Sequence, residues 1–187
     1  MIPSDVKDYV KIYENFLDKD LCKNIVEEIK NSKWEKHSFA TYKKEPIQYE
    51  NELSVSWSES KLKKELSKNL WYAIERYIIK DFNFKWFDGW NGYTEIRFNK
   101  YEIGTTMEQH CDHIHSMFDG QRRGIPTLSI VGCLNNDYEG GDFIMWEDEK
   151  IKIPEGAVLI FPSNFMYPHK VSPVTKGIRY SYVSWVY

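Results

Sequence analysis

Apolar residues recur at helical spacing in two segments of the first half of the chain. The first segment runs from Asp18 to Ser32, where Asp18 is placed to cap a helix and Leu17 precedes it as a hydrophobic staple. The second predicts a helix from about Glu59 to Ile79, with lysines on its other face. The apolar positions of the two stripes are Leu21, Cys22, Ile25, Val26 and Ile29, then Leu62, Leu66, Leu70, Ile74 and Ile78.

From Tyr93 onward the pattern changes to short β-type runs separated by Gly, Pro, Asn and Asp. The runs are YTEIRFNKY, TLSIVGCL, GDFIMW, GAVLIF and IRYSYVSWVY. Such strands without helical patterns between them predict an antiparallel sandwich or barrel. Between the two helices, HSFATYKKEPIQYENELSVSW alternates weakly and predicts a strand pair. We expect one domain over 1–187, with a helical support region at 1–90 and a β core at 91–187.

Composition narrows the class of protein. Hydrophobic residues make up 42% of the chain and aromatic residues 16%, which favours a globular protein rich in strands. The formal net charge of -3 provides no global positive field, so nucleic acid is not an expected partner. The cysteines Cys22, Cys111 and Cys133 are scattered without a CxxC pair, which indicates neither a disulfide framework nor a thiolate zinc site.

The first residues, MIPSDVKDYVKIYENF, carry acidic side chains where a secretory signal needs a basic segment and an apolar run. No segment approaches 18 apolar residues, so no membrane partner is expected. We therefore predict a soluble cytoplasmic protein. A composition rich in Lys, Asn and Ile is typical of an AT-rich bacterial or phage genome.

The stretch HCDHIH, residues 110–115, is the candidate metal site. If a strand ends here, His110 and Asp112 point to the same side and Cys111 to the other. His169, in a strand entry of the β half, is a better third ligand than His37 in the helical half. Two histidines and a carboxylate suit Fe(II) with open positions, or a catalytic zinc.

The presence of Arg179 helps to decide between an iron enzyme and a zinc enzyme. It lies on the last predicted strand, ten residues after His169, and Ser181 shares its face. A guanidinium deep in a β barrel needs a carboxylate partner, because an unpaired buried charge is costly. A dicarboxylic cosubstrate of an iron enzyme could be that partner, whereas a zinc hydrolase would not require one.

The order of these residues resembles the Fe(II)/2-oxoglutarate-dependent dioxygenases, in particular the prolyl 4-hydroxylase-like branch with its short bacterial and phage members. The matching pieces are the HxD pair, the distal His169 and HKVSPVTKGIRYSYVSW, together with YEIG, LNNDYEGGDF, PEG and FPS. The resemblance covers roughly 92–187 and extends loosely to IYENFLDKDLCKNIVEEI, which looks like the opening helix of that branch.

The resemblance implies a mainly β fold with supporting helices, a double-stranded β-helix (jelly roll) flanked by N-terminal helices. In it, Fe(II) would be held by His110, Asp112 and His169, and Arg179 would pair with the distal carboxylate of 2-oxoglutarate. It further implies that Tyr101 and Ser181 bond this cosubstrate and that Trp185 lies near the substrate. We also expect the loop carrying Arg122 and Arg123 to overhang the site, with both arginines as candidate substrate contacts. His113 and His115 are expected to be polar loop residues.

The implied reaction is hydroxylation of a prolyl residue in a peptide or protein, with O2 consumed and 2-oxoglutarate converted to succinate and CO2. Ascorbate is a candidate reductant. Three departures limit the substrate: collagen-type members tend to have Lys at position 179, halogenases have a small residue at 112, and nucleic-acid demethylases have a second Arg where Trp185 stands here. The alternatives are a small-molecule or free-amino-acid hydroxylase, a zinc enzyme, and a non-enzymatic jelly-roll module.

Overall fold

The structure, a computed structural model, describes residues 3–39, 45–58, 61–85, 92–112 and 126–187. Two helices, α1 and α2, lie in the first half of the chain, at Lys19–Ile29 and Lys63–Glu75. The second continues as a π-helical turn, Arg76–Phe82. The strands are β1 Lys11–Tyr13, β2 Glu35–Lys36, β3 Ser54–Ser56, β4 Arg97–Tyr101, β5 Met107–His110, β6 Leu128–Cys133, β7 Glu139–Gly140, β8 Phe143–Met145, β9 Glu149–Ile151, β10 Val158–Pro162, β11 His169–Val171, β12 Val174–Lys176 and β13 Arg179–Val186.

Two antiparallel sheets contain most of the strands, and the first half of the chain contributes β1, β2 and β3 to the larger one. The larger sheet has seven strands in the order β1-β10-β6-β13-β4-β3-β2, and the smaller has four in the order β5-β11-β8-β9. A short pair, β12-β7, lies beside them, and there Gly140 and Gly141 take positive φ angles of 74° and 62° that favour glycine. The predicted fold class, a mainly β jelly roll with supporting helices, is confirmed.

The period of two along the strands divides the core into two layers. On β13, Tyr180 and Tyr182 face the helices, whereas Arg179, Ser181 and Val183 face the smaller sheet. The apolar stripes of α1 and α2 pack on the first face. Helix α1 begins at its predicted cap, since the Asp18 carboxylate accepts hydrogen bonds from the backbone N–H groups two and three residues ahead. The second face, between the sheets, contains the site.

The first half of the chain differs from expectation at its start. Ile12 and Tyr13, which begin the stretch that resembles an opening helix, belong instead to strand β1, which pairs with β10 at the edge of the larger sheet. Its inward residue, Tyr13, is 4% exposed, so burying this side chain on the sheet outweighs helix formation. Of the strand pair predicted at 37–57, β3 lies inside that stretch, but its partner β2 lies just before it. Within the stretch, Phe39 and Ile47 form an isolated antiparallel bridge. Among the residues that the structure describes, no helix has both the length and the apolar character needed to cross a bilayer.

Candidate metal centre

Three predicted ligands converge at one end of the smaller sheet. His110 closes β5 and His169 opens β11, and these two residues are directly opposite each other in the antiparallel ladder. Asp112 follows two residues after His110. Its Oδ1 lies 3.4 Å from Nε2 of His110, and its Oδ2 lies 3.8 Å from Nε2 of His169. One donor atom from each of the three residues lies within 4.8 Å of the others, which suits a single ion.

Both imidazoles are oriented by the backbone through the nitrogen that faces away from the cluster. Nδ1 of His110 lies 2.7 Å from the carbonyl oxygen of Glu108, and Nδ1 of His169 lies 3.1 Å from that of Tyr167. A carbonyl oxygen only accepts, so each Nδ1 carries the proton and donates. Each Nε2 lone pair is therefore free for a metal, as in protein metal sites where the second ring nitrogen is hydrogen-bonded.

The carboxylate ligand is held by serines that the sequence reasoning did not assign. Oγ of Ser129 donates to Oδ2 of Asp112 at 2.6 Å, and the same Oγ lies 2.5 Å from Oγ of Ser163. Ser129 is on the inner face of β6 and Ser163 follows β10. The alternation in TLSIVGCL places Ser129 on the inner face, but only the pairing of distant strands places it beside Asp112.

The charges of the cluster favour a cation. Burial opposes ionisation of Asp112, yet His169, His110 and the Ser129 hydroxyl together hold its pKa below the ordinary value. Burial lowers the pKa of His169 to about 4, so this imidazole is neutral at pH 7. Burial also opposes the charge on His110, but the adjacent Asp112 raises its pKa overall. An ionised carboxylate beside a neutral imidazole is the state that binds a divalent metal.

Arg179 lies in the same pocket but on the larger sheet. It is 2% exposed, its guanidinium carbon lies 4.8 Å from the centroid of the Tyr101 ring, and one terminal nitrogen donates to Oγ of Ser181 at 3.3 Å. Burial opposes its charge, but Tyr101 and then Cys133 and Tyr138 hold its pKa above the ordinary value. Sequence reasoning missed Tyr138, although it lies within the quoted LNNDYEGGDF.

The guanidinium of Arg179 lacks a charged partner in the part of the chain that the structure describes. Its Nε makes no hydrogen bond there, and none of the carboxylates of residues 3–39, 45–58, 61–85, 92–112 and 126–187 lies within 4 Å. A buried guanidinium with an orphaned donor fits the carboxylate of a bound ligand. The arrangement therefore suits a dicarboxylate that reaches from Arg179 to the metal.

The remaining predicted residues are placed as follows. Trp185 lies on the inner face of β13 and lines the pocket together with the metal ligands and Arg179. Arg122 and Arg123, like His113 and His115, fall outside the described residues. His37 does not join the ligands, because its Nδ1 faces Oε1 of Glu52 at 3.5 Å.

Comparisons with known proteins agree on one family. Residues 96–187 match the family model described as the 2OG-Fe(II) oxygenase superfamily. A PKHD-type hydroxylase of Shewanella oneidensis is 33% identical over 93 residues, which are 48% of this chain and 41% of that protein. The chain thus spans about two fifths of the length of the curated relatives that it matches.

Solved structures of prolyl hydroxylases share the fold. A prolyl hydroxylase from Trichoplax adhaerens, in complex with a peptide of the oxygen degradation domain of hypoxia inducible factor, superposes with a TM-score of 0.74 at 19% identity, covering 96% of this chain and 84% of that one. A prolyl-4-hydroxylase of Pseudomonas putida gives a TM-score of 0.69 at 18% identity, covering 95% and 91%.

Proposed function

Because the chain belongs to the 2OG-Fe(II) oxygenase superfamily, we propose that it is an Fe(II)- and 2-oxoglutarate-dependent hydroxylase whose substrate is a prolyl residue in a peptide or protein. One observation carries the proposal: a cluster of two histidines and an aspartate and an unpaired buried arginine line the same pocket. A structural role would explain each residue alone. A metal with a carboxylate cosubstrate gives a partner to both.

The residues of the chain would divide the work between the two sheets. His110, Asp112 and His169 would hold the metal from the smaller sheet, and Arg179 would bind the distal carboxylate from the larger sheet, with Ser181 beside it. When bound, Fe(II) with 2-oxoglutarate and O2 supplies the oxidising chemistry, which yields succinate, CO2 and a hydroxylated substrate.

Aromatic side chains shield the metal ligands from water. The ring of Phe143 stacks on His169 at a centroid distance of 5.3 Å, and the ring of Phe161 meets the same imidazole edge-on at 5.0 Å. Phe39 packs against His110 at 5.3 Å. These contacts fix the imidazoles and keep the inner side of the site apolar, which limits side reactions of a reactive site with solvent.

The prolyl substrate is supported by the relatives rather than by a contact within this chain. Two of the solved structures with this fold are described as prolyl hydroxylases, one with a peptide bound. The three free cysteines are consistent with a reducing compartment such as the cytoplasm, which the sequence predicts.

The first experiment is an anaerobic titration of the metal-free protein with Fe(II) and 2-oxoglutarate, followed by the visible charge-transfer band. We expect a band in the wild type, none in His110→Ala, and a 2-oxoglutarate Kd raised about ten- to hundredfold in Arg179→Gln, because a charge-assisted bond is lost. Arg76→Gln is the matched control, since this arginine lies over the Tyr13 ring on the helical side. Tight zinc binding without a band would contradict the proposal and favour a zinc enzyme.

The substrate needs a second assay. Succinate formation in air would be measured with prolyl peptides and with free amino acids, and products would be weighed for the gain of one oxygen atom. Oxygen gained by a prolyl residue within a peptide supports the proposal. Oxygen gained only by a free amino acid would replace the peptide substrate with a small molecule.

A further inference from the structure

The pocket contains a second buried arginine, Arg97, that the metal and the cosubstrate do not use. In the ladder between β4 and β13, Arg179 pairs with Tyr101 and Val183 pairs with Arg97. All four side chains line the same pocket. Four residue steps of about 3.3 Å separate the two arginines, roughly 13 Å along the strands. On the inner face of the larger sheet, Arg97 therefore lies toward one end of the pocket and Arg179 toward the other.

Arg97 is held in place by neutral groups. Its Nε donates to Oδ1 of Asn99 at 3.2 Å, and its guanidinium carbon lies 5.2 Å from the centroid of the Trp185 ring. The side chain belongs to a residue that is only 9% exposed, and burial lowers its pKa. The stacked ring and the amide fix the plane of the guanidinium, while its two terminal nitrogens have no acceptor among the residues that the structure describes.

Among the residues that the structure describes, no carboxylate pairs with Arg97 directly. Within the described ranges, none lies within 4 Å of its nitrogens, and the two that attract it from further away are Asp112 and Glu52. Asp112 faces the metal position, and the carboxylate of Glu52 faces His37 at 3.5 Å. A buried guanidinium in this position is costly unless an anion pairs with it.

A 2-oxoglutarate that chelates the metal and pairs with Arg179 uses both of its carboxylates in doing so. Its two carboxyl carbons are joined by four carbon–carbon bonds of about 1.5 Å, so they lie at most about 6 Å apart. One end is required at Arg179 and the other at the metal ligands. A second anion in the pocket would give Arg97 a partner, and the substrate is the other molecule that the proposed function places there.

We propose that Arg97 is a substrate-anchoring residue that binds a carboxylate of the substrate, with Trp185 and Asn99 holding the guanidinium in orientation. This inference rests on the proposed function and adds the chemical class of the substrate to it. The carboxylate has two possible sources: the free α-carboxylate of the prolyl residue, or the side chain of an acidic residue next to it in a peptide. Both offer the paired oxygens that match a guanidinium fork.

Matched ligand pairs test the inference without requiring turnover. The anaerobic Fe(II)·2-oxoglutarate complex is titrated with N-acetylproline against N-acetylprolinamide, and with a blocked Glu-Pro peptide against its Gln-Pro counterpart. Binding is followed by the shift of the visible band and by calorimetry. We expect one carboxylate ligand to bind about ten- to hundredfold more tightly than its neutral partner, and Arg97→Gln to abolish this preference.

Lys100→Gln is the matched control, because this lysine is on the same strand but contacts Glu102 and the Trp34 ring on the opposite face. It should keep the wild-type preference, and a normal band in Arg97→Gln shows that this variant is folded. Equal affinities within both pairs, no binding of any of the four ligands at millimolar concentration, or a preference that persists in Arg97→Gln each overturns the inference. Absence of the band in the wild type instead refutes the proposed function.

Discussion

Replacing Ser129 by alanine should weaken metal binding although this residue is not a ligand. Its hydroxyl donates to Oδ2 of Asp112 at 2.6 Å. The Ser129 residue is 1% exposed, so water cannot easily replace the lost hydroxyl. A hydrogen bond to a charged group contributes about 1.5–3 kcal/mol. Since each 1.4 kcal/mol changes an equilibrium constant about tenfold, the metal Kd should rise about ten- to hundredfold.

The assay compares Ser129→Ala with Ser184→Ala. Ser184 is equally buried, but its hydroxyl donates to the carbonyl oxygen of Thr94 at 2.8 Å, away from the metal ligands. Ser184→Ala should lose about 1 kcal/mol of stability, which lowers Tm by about 2–4 °C for a chain of this size, and Ser129→Ala should lose more because its bond is to a charged group. Isothermal titration with Mn(II) would then report affinity, and only Ser129→Ala should bind more weakly.

Two results would refute this reasoning. If Ser129→Ala bound Mn(II) with wild-type affinity, the hydroxyl would not orient the carboxylate. If both variants lost affinity equally, general destabilisation of the β core would explain the effect.

Three further predictions concern stability. Asp18→Ala removes the cap of α1 and should cost about 1 kcal/mol in urea unfolding while leaving Mn(II) affinity unchanged. Phe143→Ala removes the ring stacked on His169 and should lower the free energy of unfolding by about 3–5 kcal/mol. The folded fraction should also bind Mn(II) more weakly, and a wild-type Mn(II) affinity would show that the ring does not position His169. Burial lowers the pKa of His37 from 6.5, so the unfolded state takes up a proton before the folded state as the pH falls. The free energy of unfolding should therefore decrease below about pH 6.5 by up to about 1.4 kcal/mol per pH unit. His37→Gln should reduce this slope in melting curves recorded at several pH values, and an unchanged slope would exclude the effect.

Local patterns predicted the elements and several side-chain directions. The helical stripe after Asp18 predicted α1 with its cap. The alternation around His110 and Asp112 placed both side chains on one side, where they lie 3.4 Å apart. The runs TLSIVGCL and IRYSYVSWVY became β6 and β13. These features depend on neighbours within a few residues, which the sequence displays directly.

Features that depend on pairing between distant segments could not be predicted in the same way. The opposition of His110 and His169 results from the register of β5 against β11, and the bond from Ser129 to Asp112 results from the packing of one sheet on the other. The sequence around Arg97 is that of an ordinary half-buried strand, and only the pairing of β4 with β13 places Arg97 in line with Arg179. Strand β1 was missed because a strand of three residues has too few positions for a periodic pattern.

The two histidines of the candidate metal centre and the two arginines lie on different sheets, so substrate selection and metal binding could evolve separately. Under the proposed function, the smaller sheet would carry two of the three residues that hold the metal for oxidation, and the inner face of β4 would carry the residue that selects the molecule to be oxidised. A substitution at position 97 should then change selectivity and leave the metal site unchanged. Evolution toward a new substrate would need changes in one strand of the larger sheet only.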